Sequence, residues 1–263
     1  MTIAEPTQKI AVCNANPPLG ILDERGNLAD MSIEMFEGTR DESIGNVEYK
    51  IFEVYKNEIP SVKELLGGDY IGIHITGSTS DAHDLETEWI NNFRAMLQEL
   101  FRVKGHPPVS AICFGHQIVA SALGCKVLRN SKGYEGGIAS LEITEEAISL
   151  GLFKKLDSER PSKGLFLAEA HYDIVQCVPD GFIKTLSSSK CDIQGFYKKN
   201  VALTFQSHPD FSTDICLKIN KTNYYNSRIT DEELAIIEES GKNHINDGML
   251  AARSFWKLFK GEL

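Results

Sequence analysis

Val109-Ser110-Ala111-Ile112-Cys113-Phe114-Gly115-His116-Gln117 changes its character halfway along. Val109 to Ile112 is a short buried strand. A helix from Gly115 to Leu123 leaves almost at once, so Cys113 sits on the turn between them. Such a turn carries its side chain away from the sheet, at the carboxyl end of a strand, where open α/β sheets bind ligands. Strand and helix approach closely there, so small residues are needed two positions either side, and Ala111 and Gly115 supply them. A thiol at a helix N-terminus also feels the helix dipole, which favours thiolate.

Outward from this turn, strand and helix signals alternate. Upstream, Lys9 to Asn14, Val47 to Val54 and Tyr70 to Thr76 read as strands. Leu28 to Thr39 and Leu85 to Val103 have helical spacing, and Pro107 and Pro108 close the second helical stretch. Asp81 and Asp84 have the place and chemistry of caps for the helix from Leu85, with His83 a loop residue. Downstream, Gly136 to Ile143, Leu165 to Ala168, Ile183 to Ser187, Gln194 to Tyr197 and Val201 to Phe205 read as strands joined by short turns. The expected fold is a single-domain, flavodoxin-like α/β three-layer sandwich. Its central sheet is mainly parallel, with a mixed or antiparallel extension. After a capping box, Thr230-x-x-Glu233, come C-terminal helices whose Met249, Leu250, Phe255, Trp256 and Phe259 are expected to dock on the core.

Composition narrows the function. The chain of 263 residues carries 27 basic and 37 acidic side chains, a net charge of −10, which argues against nucleic acid or an anionic membrane as partner. No apolar run approaches the about 18 residues that a membrane span needs. Met1 to Lys9 lacks the basic-then-apolar pattern of an export signal, so a cytoplasmic protein is expected. The 6 cysteines, Cys13, Cys113, Cys125, Cys177, Cys191 and Cys216, form no C-x-x-C pair and are read as reduced thiols. The 7 scattered histidines give no zinc spacing, and Walker, GxGxxG and HExxH patterns are absent, so neither metal nor cofactor is expected.

A nucleophilic cysteine needs a base, and the base an orienting partner. Leu203-Thr204-Phe205-Gln206-Ser207-His208-Pro209-Asp210 ends a strand in a histidine, followed by proline and a carboxylate. His208 is 95 residues from Cys113, so only folding can join them. Together the two stretches resemble class I glutamine amidotransferases, which carry a C-x-G-H-Q elbow and a later H-P-E. Thr76-Gly77-Ser78 matches the glycine-rich oxyanion loop of that family, and His171-Tyr172-Asp173 an H-x-D segment lining its glutamine pocket. The resemblance spans about residues 9–215 and is greatest to stand-alone γ-glutamyl peptidase-like and GMP-synthase-like members. Residues 216–263 read as a helical extension packed on the same domain. Two positions depart from the pattern: Ala111 replaces glycine, and Asp210 replaces the triad glutamate, shorter by one methylene.

The resemblance implies cysteine-dependent hydrolysis of a γ-glutamyl amide through a thioester. Cys113 is the expected nucleophile, His208 the base and Asp210 its orienting acid. Backbone N–H groups of Phe114 and of the Gly77–Ser78 loop would hold the oxyanion. Gln117 would hold the glutamyl group, with His171 and Asp173 at its α-amino and α-carboxylate ends. His116 is read as structural. The expected partner is a small γ-glutamyl substrate, glutamine or a peptide, whose leaving group meets loops near Ser80 to Asp84 and Gly133 to Gly137. Two alternatives stay open: a glutaminase subunit feeding ammonia to a separate synthase, and a non-catalytic binding or redox-sensing protein on the same fold.

Overall fold

The computed structural model describes residues 8–67, 69–153 and 164–263. The sequence read for an export signal lies, through residue 7, outside the described residues. In chain order the elements begin β1 (Gln8–Asn14), α1 (Leu28–Thr39), β2 (Val47–Glu53), α2 (Val62–Gly67), β3 (Tyr70–Ile75) and α3 (Glu88–Leu100). The elbow follows as β4 (Val109–Ile112) and α4 (Phe114–Ala122). Then come β5 (Val127–Arg129), β6 (Glu135–Ile143), α5 (Glu145–Ser149), β7 (Gly164–His171), β8 (Asp173–Val175), β9 (Ile183–Ser187), β10 (Gly195–Lys198) and β11 (Ala202–Phe205). Three helices end the chain: α6 (Thr213–Tyr225), α7 (Asp231–Asn243) and α8 (Gly248–Phe259).

One sheet of nine strands runs β2-β1-β3-β4-β11-β10-β9-β6-β7, and β5 pairs with β8 in a separate ribbon. The first five strands are parallel, and the last four join antiparallel, so the extension nearly equals the parallel half. Alternate residues of a strand face opposite sides. Accordingly Ala11 and Cys13 of β1 enter one core, beneath α3 and α4, while Ile10 and Val12 enter the other, beneath α1 and α8. Parallel pairing of β4 with β11 sets Ile112 beside Phe205, and Cys113 N–H donates to Phe205 O at 2.8 Å. The register therefore brings the ends carrying Cys113 and His208 side by side.

Docking of the C-terminal helix follows the apolar stripe. Phe255, Trp256 and Phe259 are buried, and Phe36 of α1 lies within 6.2 Å of each ring, while Met249 stays largely exposed. Burial of the Phe255 ring alone contributes about 1.5–3 kcal/mol. The Thr230–Glu233 capping box forms as read, with Thr230 Oγ1 accepting from Glu233 N–H and Glu233 Oε2 from Thr230 N–H.

Elsewhere the expectations need correction. Helix α3 starts at Glu88, because Asp84 Oδ1 accepts from the N–H groups of Glu86 and Thr87 and holds a turn there. Asp81 caps nothing and pairs with Arg129. Strand β7 extends to His171, past the Ala168 where its apolar pattern fades, because buried Glu169 and His171 pair with polar neighbours. Not all cysteines are free thiols. Cys125 and Cys177, 52 residues apart, form a disulfide beside the β5–β8 ribbon. Cys13, Cys113, Cys191 and Cys216 are free and buried.

Candidate active site

Cys113 adopts φ 49° and ψ −107° as the N-cap residue of α4. A non-glycine residue held there costs about 1–3 kcal/mol, so the surrounding packing must enforce it. Gly115 shows how tight that packing is: an added Cβ would lie 2.6 Å from Ile75 O. Ala111, by contrast, is fully buried between Ile75 and Thr204 of the neighbouring strands, so its methyl group fits where the family pattern has glycine. Phe114 opens α4, so its N–H has no intrahelical acceptor and points with the dipole toward an anion.

His208 reaches the same point from β11. A Cβ on Gly77 would meet its ring at 2.7 Å and the Cβ of Cys113 at 3.7 Å, so only glycine lets the β3 loop close over both. His208 Nδ1 faces Asp210 Oδ1 at 3.1 Å, and the Asp210 side chain is fully buried. Phe211 stacks on the imidazole at 3.9 Å. Burial works against a charged imidazole here, but Cys113 and then Asp210 outweigh it and raise His208 to about 10. Of the other free thiols, Cys13 is raised to about 12 by burial alone, while Cys216 donates to Gly137 O.

The loop after β3 is held by a residue the sequence reading missed. Asn16 Oδ1 accepts from Thr79 N–H at 2.8 Å, from Thr79 Oγ1 and from Ser78 Oγ. The N–H groups of Gly77 and Ser78 find no acceptor among the described residues. Its signal was a polar residue just past the carboxyl end of β1, where ligands gather in such sheets.

A cavity of about 550 Å³ opens over Cys113 and His208. One wall is charged. Asp173 pairs with Arg129 Nη1 at 3.0 Å and His83 Nδ1 at 3.1 Å, and Arg129 also reaches Asp81 at 3.1 Å. Burial raises the Asp173 carboxyl despite Arg129. Asp81, His83 and Asp173 could together face a metal ion, but the Arg129 guanidinium already sits on both carboxylates. Gln117 Nε2 donates to Asp173 O and to Gln206 Oε1, each at 3.0 Å, which fixes it beside the cavity. Arg129, not singled out at all, thus belongs to this wall, and His83, read as a loop residue, supports it through Asp173.

His171 is placed differently from its expected role at the glutamyl end. Its Nε2 lies 3.3 Å from Glu135 and 3.2 Å from Glu169, and its Nδ1 is 3.1 Å from Asp173 O. Burial opposes the charge, but the two carboxylates prevail and raise His171 to about 10. It borders the cavity as a buried cation already paired. His116 bonds Thr204 Oγ1 at 2.8 Å, and burial lowers it to about 3, as fits a structural neutral imidazole. Gly136 and Gly137 do not reach the cavity: a Cβ on either would overlap Asn220 of α6 or Ser240 of α7.

Residues 43–215 match the family model "Glutamine amidotransferase class-I". The Saccharomyces cerevisiae protein named "Putative glutamine amidotransferase YLR126C" is 42% identical over 238 residues, which are 89% of this chain and 90% of that one. Gamma-glutamyl peptidase 2 of Arabidopsis thaliana is 31% identical over 65% of either chain. A glutamine amidotransferase of Thermotoga maritima shares the fold with a TM-score of 0.66 at 19% identity, over 97% of this chain and 98% of that one. Sequence and fold agree over most of its length, and the chain belongs to the class I glutamine amidotransferase family.

Proposed function

We propose that the chain hydrolyses a γ-glutamyl amide by nucleophilic catalysis. Cys113, His208 and Asp210 act as nucleophile, base and orienting acid. The observation that carries the reading is the Cys113–His208 approach beneath Gly77, with Asp210 behind the imidazole. The Cys113 thiolate attacks the γ-carbonyl carbon and a C–S bond forms. The oxyanion falls to the N–H groups of Phe114 and of Gly77 or Ser78, which find no acceptor among the described residues. His208 gives its proton to the leaving nitrogen as the C–N bond breaks. Water, deprotonated by His208, then cleaves the thioester and releases glutamate. Arg129 and Asp173 offer opposite charges to the zwitterionic α-carbon of the glutamyl group. The size of the cavity favours a γ-glutamyl peptide over free glutamine, because volumes of about 300–1,000 Å³ suit ligands larger than one amino acid.

A glutamine-mimicking diazoketone tests the site. It is expected to label Cys113 alone among the free thiols, and His208→Ala should abolish labelling. Cys113→Ser should remove turnover of every γ-glutamyl substrate, since a hydroxyl is far less nucleophilic at neutral pH. The purified chain should cleave a γ-glutamyl dipeptide at least about tenfold faster than glutamine, roughly 1.4 kcal/mol in transition-state binding. Glutamine-only activity that requires an added fraction would instead assign an ammonia-supplying subunit. Labelling at another cysteine would overturn the nucleophile.

A further inference from the structure

Another part of the cavity lining is apolar. Leu28 and Phe211 belong to a buried cluster against which Leu19 and Ile219 pack, and all four line the cavity. Ammonia as leaving group would give such a surface nothing to hold. Its position is chemically defined. His208 must protonate the leaving nitrogen, and the ring stacked on His208 is Phe211. The apolar lining thus begins at the base that must release the leaving group.

A cation borders the same space. Arg228 follows α6 and is exposed at the cavity rim, where its carbonyl accepts from the Tyr172 hydroxyl. Its guanidinium makes no ion pair among the described residues, whereas Arg129 is engaged by Asp81 and Asp173. In a chain of net charge −10, an unpaired arginine on a cavity rim attracts a carboxylate. Asn223 stands beside it, with its amide donating to Tyr134 Oη at 3.0 Å.

We propose that this flank is the leaving-residue subsite for a γ-glutamyl dipeptide. The departing amino acid lays an apolar side chain on Leu19, Leu28, Phe211 and Ile219 and sets its free carboxylate on Arg228. The inference rests on the hydrolase reading and adds to it the class of amine released, an apolar α-amino acid.

Specificity constants on matched substrates decide it. The wild-type chain should prefer γ-glutamyl-leucine to γ-glutamyl-glycine, and to the C-terminal amide of γ-glutamyl-leucine, by about tenfold each. Arg228→Gln should bring the acid-to-amide ratio close to one while the leucine-to-glycine ratio persists. Ile219→Asp should collapse the leucine-to-glycine ratio. Cys113-dependent hydrolysis that treats acid and amide alike in the wild type, or leucine and glycine alike, overturns the inference and leaves the hydrolase standing. No hydrolysis of any γ-glutamyl compound overturns the hydrolase reading and the inference with it. Because the acid and amide are compared on the unaltered chain, misfolding of a variant cannot obscure the outcome.

Discussion

Asp210 stands one methylene short of the residue the family pattern expects, yet its Oδ1 reaches His208 Nδ1 at 3.1 Å. The cost shows at the other oxygen: Oδ2 is buried with no hydrogen-bond partner among the described residues. An anion behind the imidazole favours its charged form, together with Cys113, and this sets the alkaline limit of activity. The imidazole should lose its proton far above the ordinary 6.5, toward about 10, so kcat/KM should stay high through pH 8 and fall beyond it. The apparent value belongs to the Cys113–His208 pair rather than to one ring. Asp210→Asn removes a contributor that raises His208, so the alkaline limb should move to lower pH. kcat should also fall by about tenfold or more, as when a triad acid is neutralised. A pH–rate profile of both forms checks this, and an unmoved limb would make Asp210 only a turn residue after Pro209.

Among the elements, the β6–β7 pair buries two carboxylates around one imidazole. Register sets Glu135 opposite His171, and the alternation of β7 puts Glu169 on the same face as His171. One imidazolium thus separates two buried carboxylates, which Ser188, Gln194 and Ser207 also serve. His171 is raised to about 10, so its contribution to stability is complete below 6.5 and is lost as pH rises through about 10. Burial raises the Glu169 carboxyl as well, which acts in the same sense, since the folded form then binds more protons. The melting temperature should therefore fall between pH 7 and pH 10. His171→Gln leaves the carboxylates facing each other and should cost about 3–5 kcal/mol at pH 7 while flattening that decline. Thermal unfolding across the range measures both, and a melting temperature level to pH 10 would show that no buried cation holds the pair.

Across the whole molecule, the C-terminal segment braces the turn that carries His208. Asn246, between α7 and α8, donates to His208 O at 3.0 Å and Phe211 O at 2.6 Å, and its Oδ1 accepts from Ala168 N–H at 3.2 Å. Gly248 then passes so close to Pro209 that an added Cβ would lie 2.2 Å from its carbonyl oxygen. The apolar stripe of α8 anchors this brace on α1 at Phe36. Asn246→Ala should lower kcat by about tenfold, roughly 1.4 kcal/mol, because the base loses its support, and KM for γ-glutamyl-leucine should rise with it, because Phe211 of the cavity wall is held by the same amide. Steady-state kinetics with a melting curve separate this from general unfolding. Unchanged kcat would mean that the turn holds itself.

Local chemistry wrote much of this into the chain. The strand–Cys–Gly–helix turn, the Thr230–Glu233 box and the strand ending in His208-Pro209-Asp210 were legible because each depends on residues within a few positions of one another. Continuous apolar runs likewise marked β1 and β11 as strands covered on both faces, and period-two alternation marked β2 as a strand. Alternation does not say which strand lies opposite, and every feature absent from the sequence reading turns on that. Cys125 met Cys177, Glu135 met His171, Arg129 met Asp173, and Asn246 met His208 only after the sheet order and register were set. Spacing along the chain decides the element, but pairing across it is decided by burial: a polar group sealed from water must find its partner wherever the packed layers happen to place one.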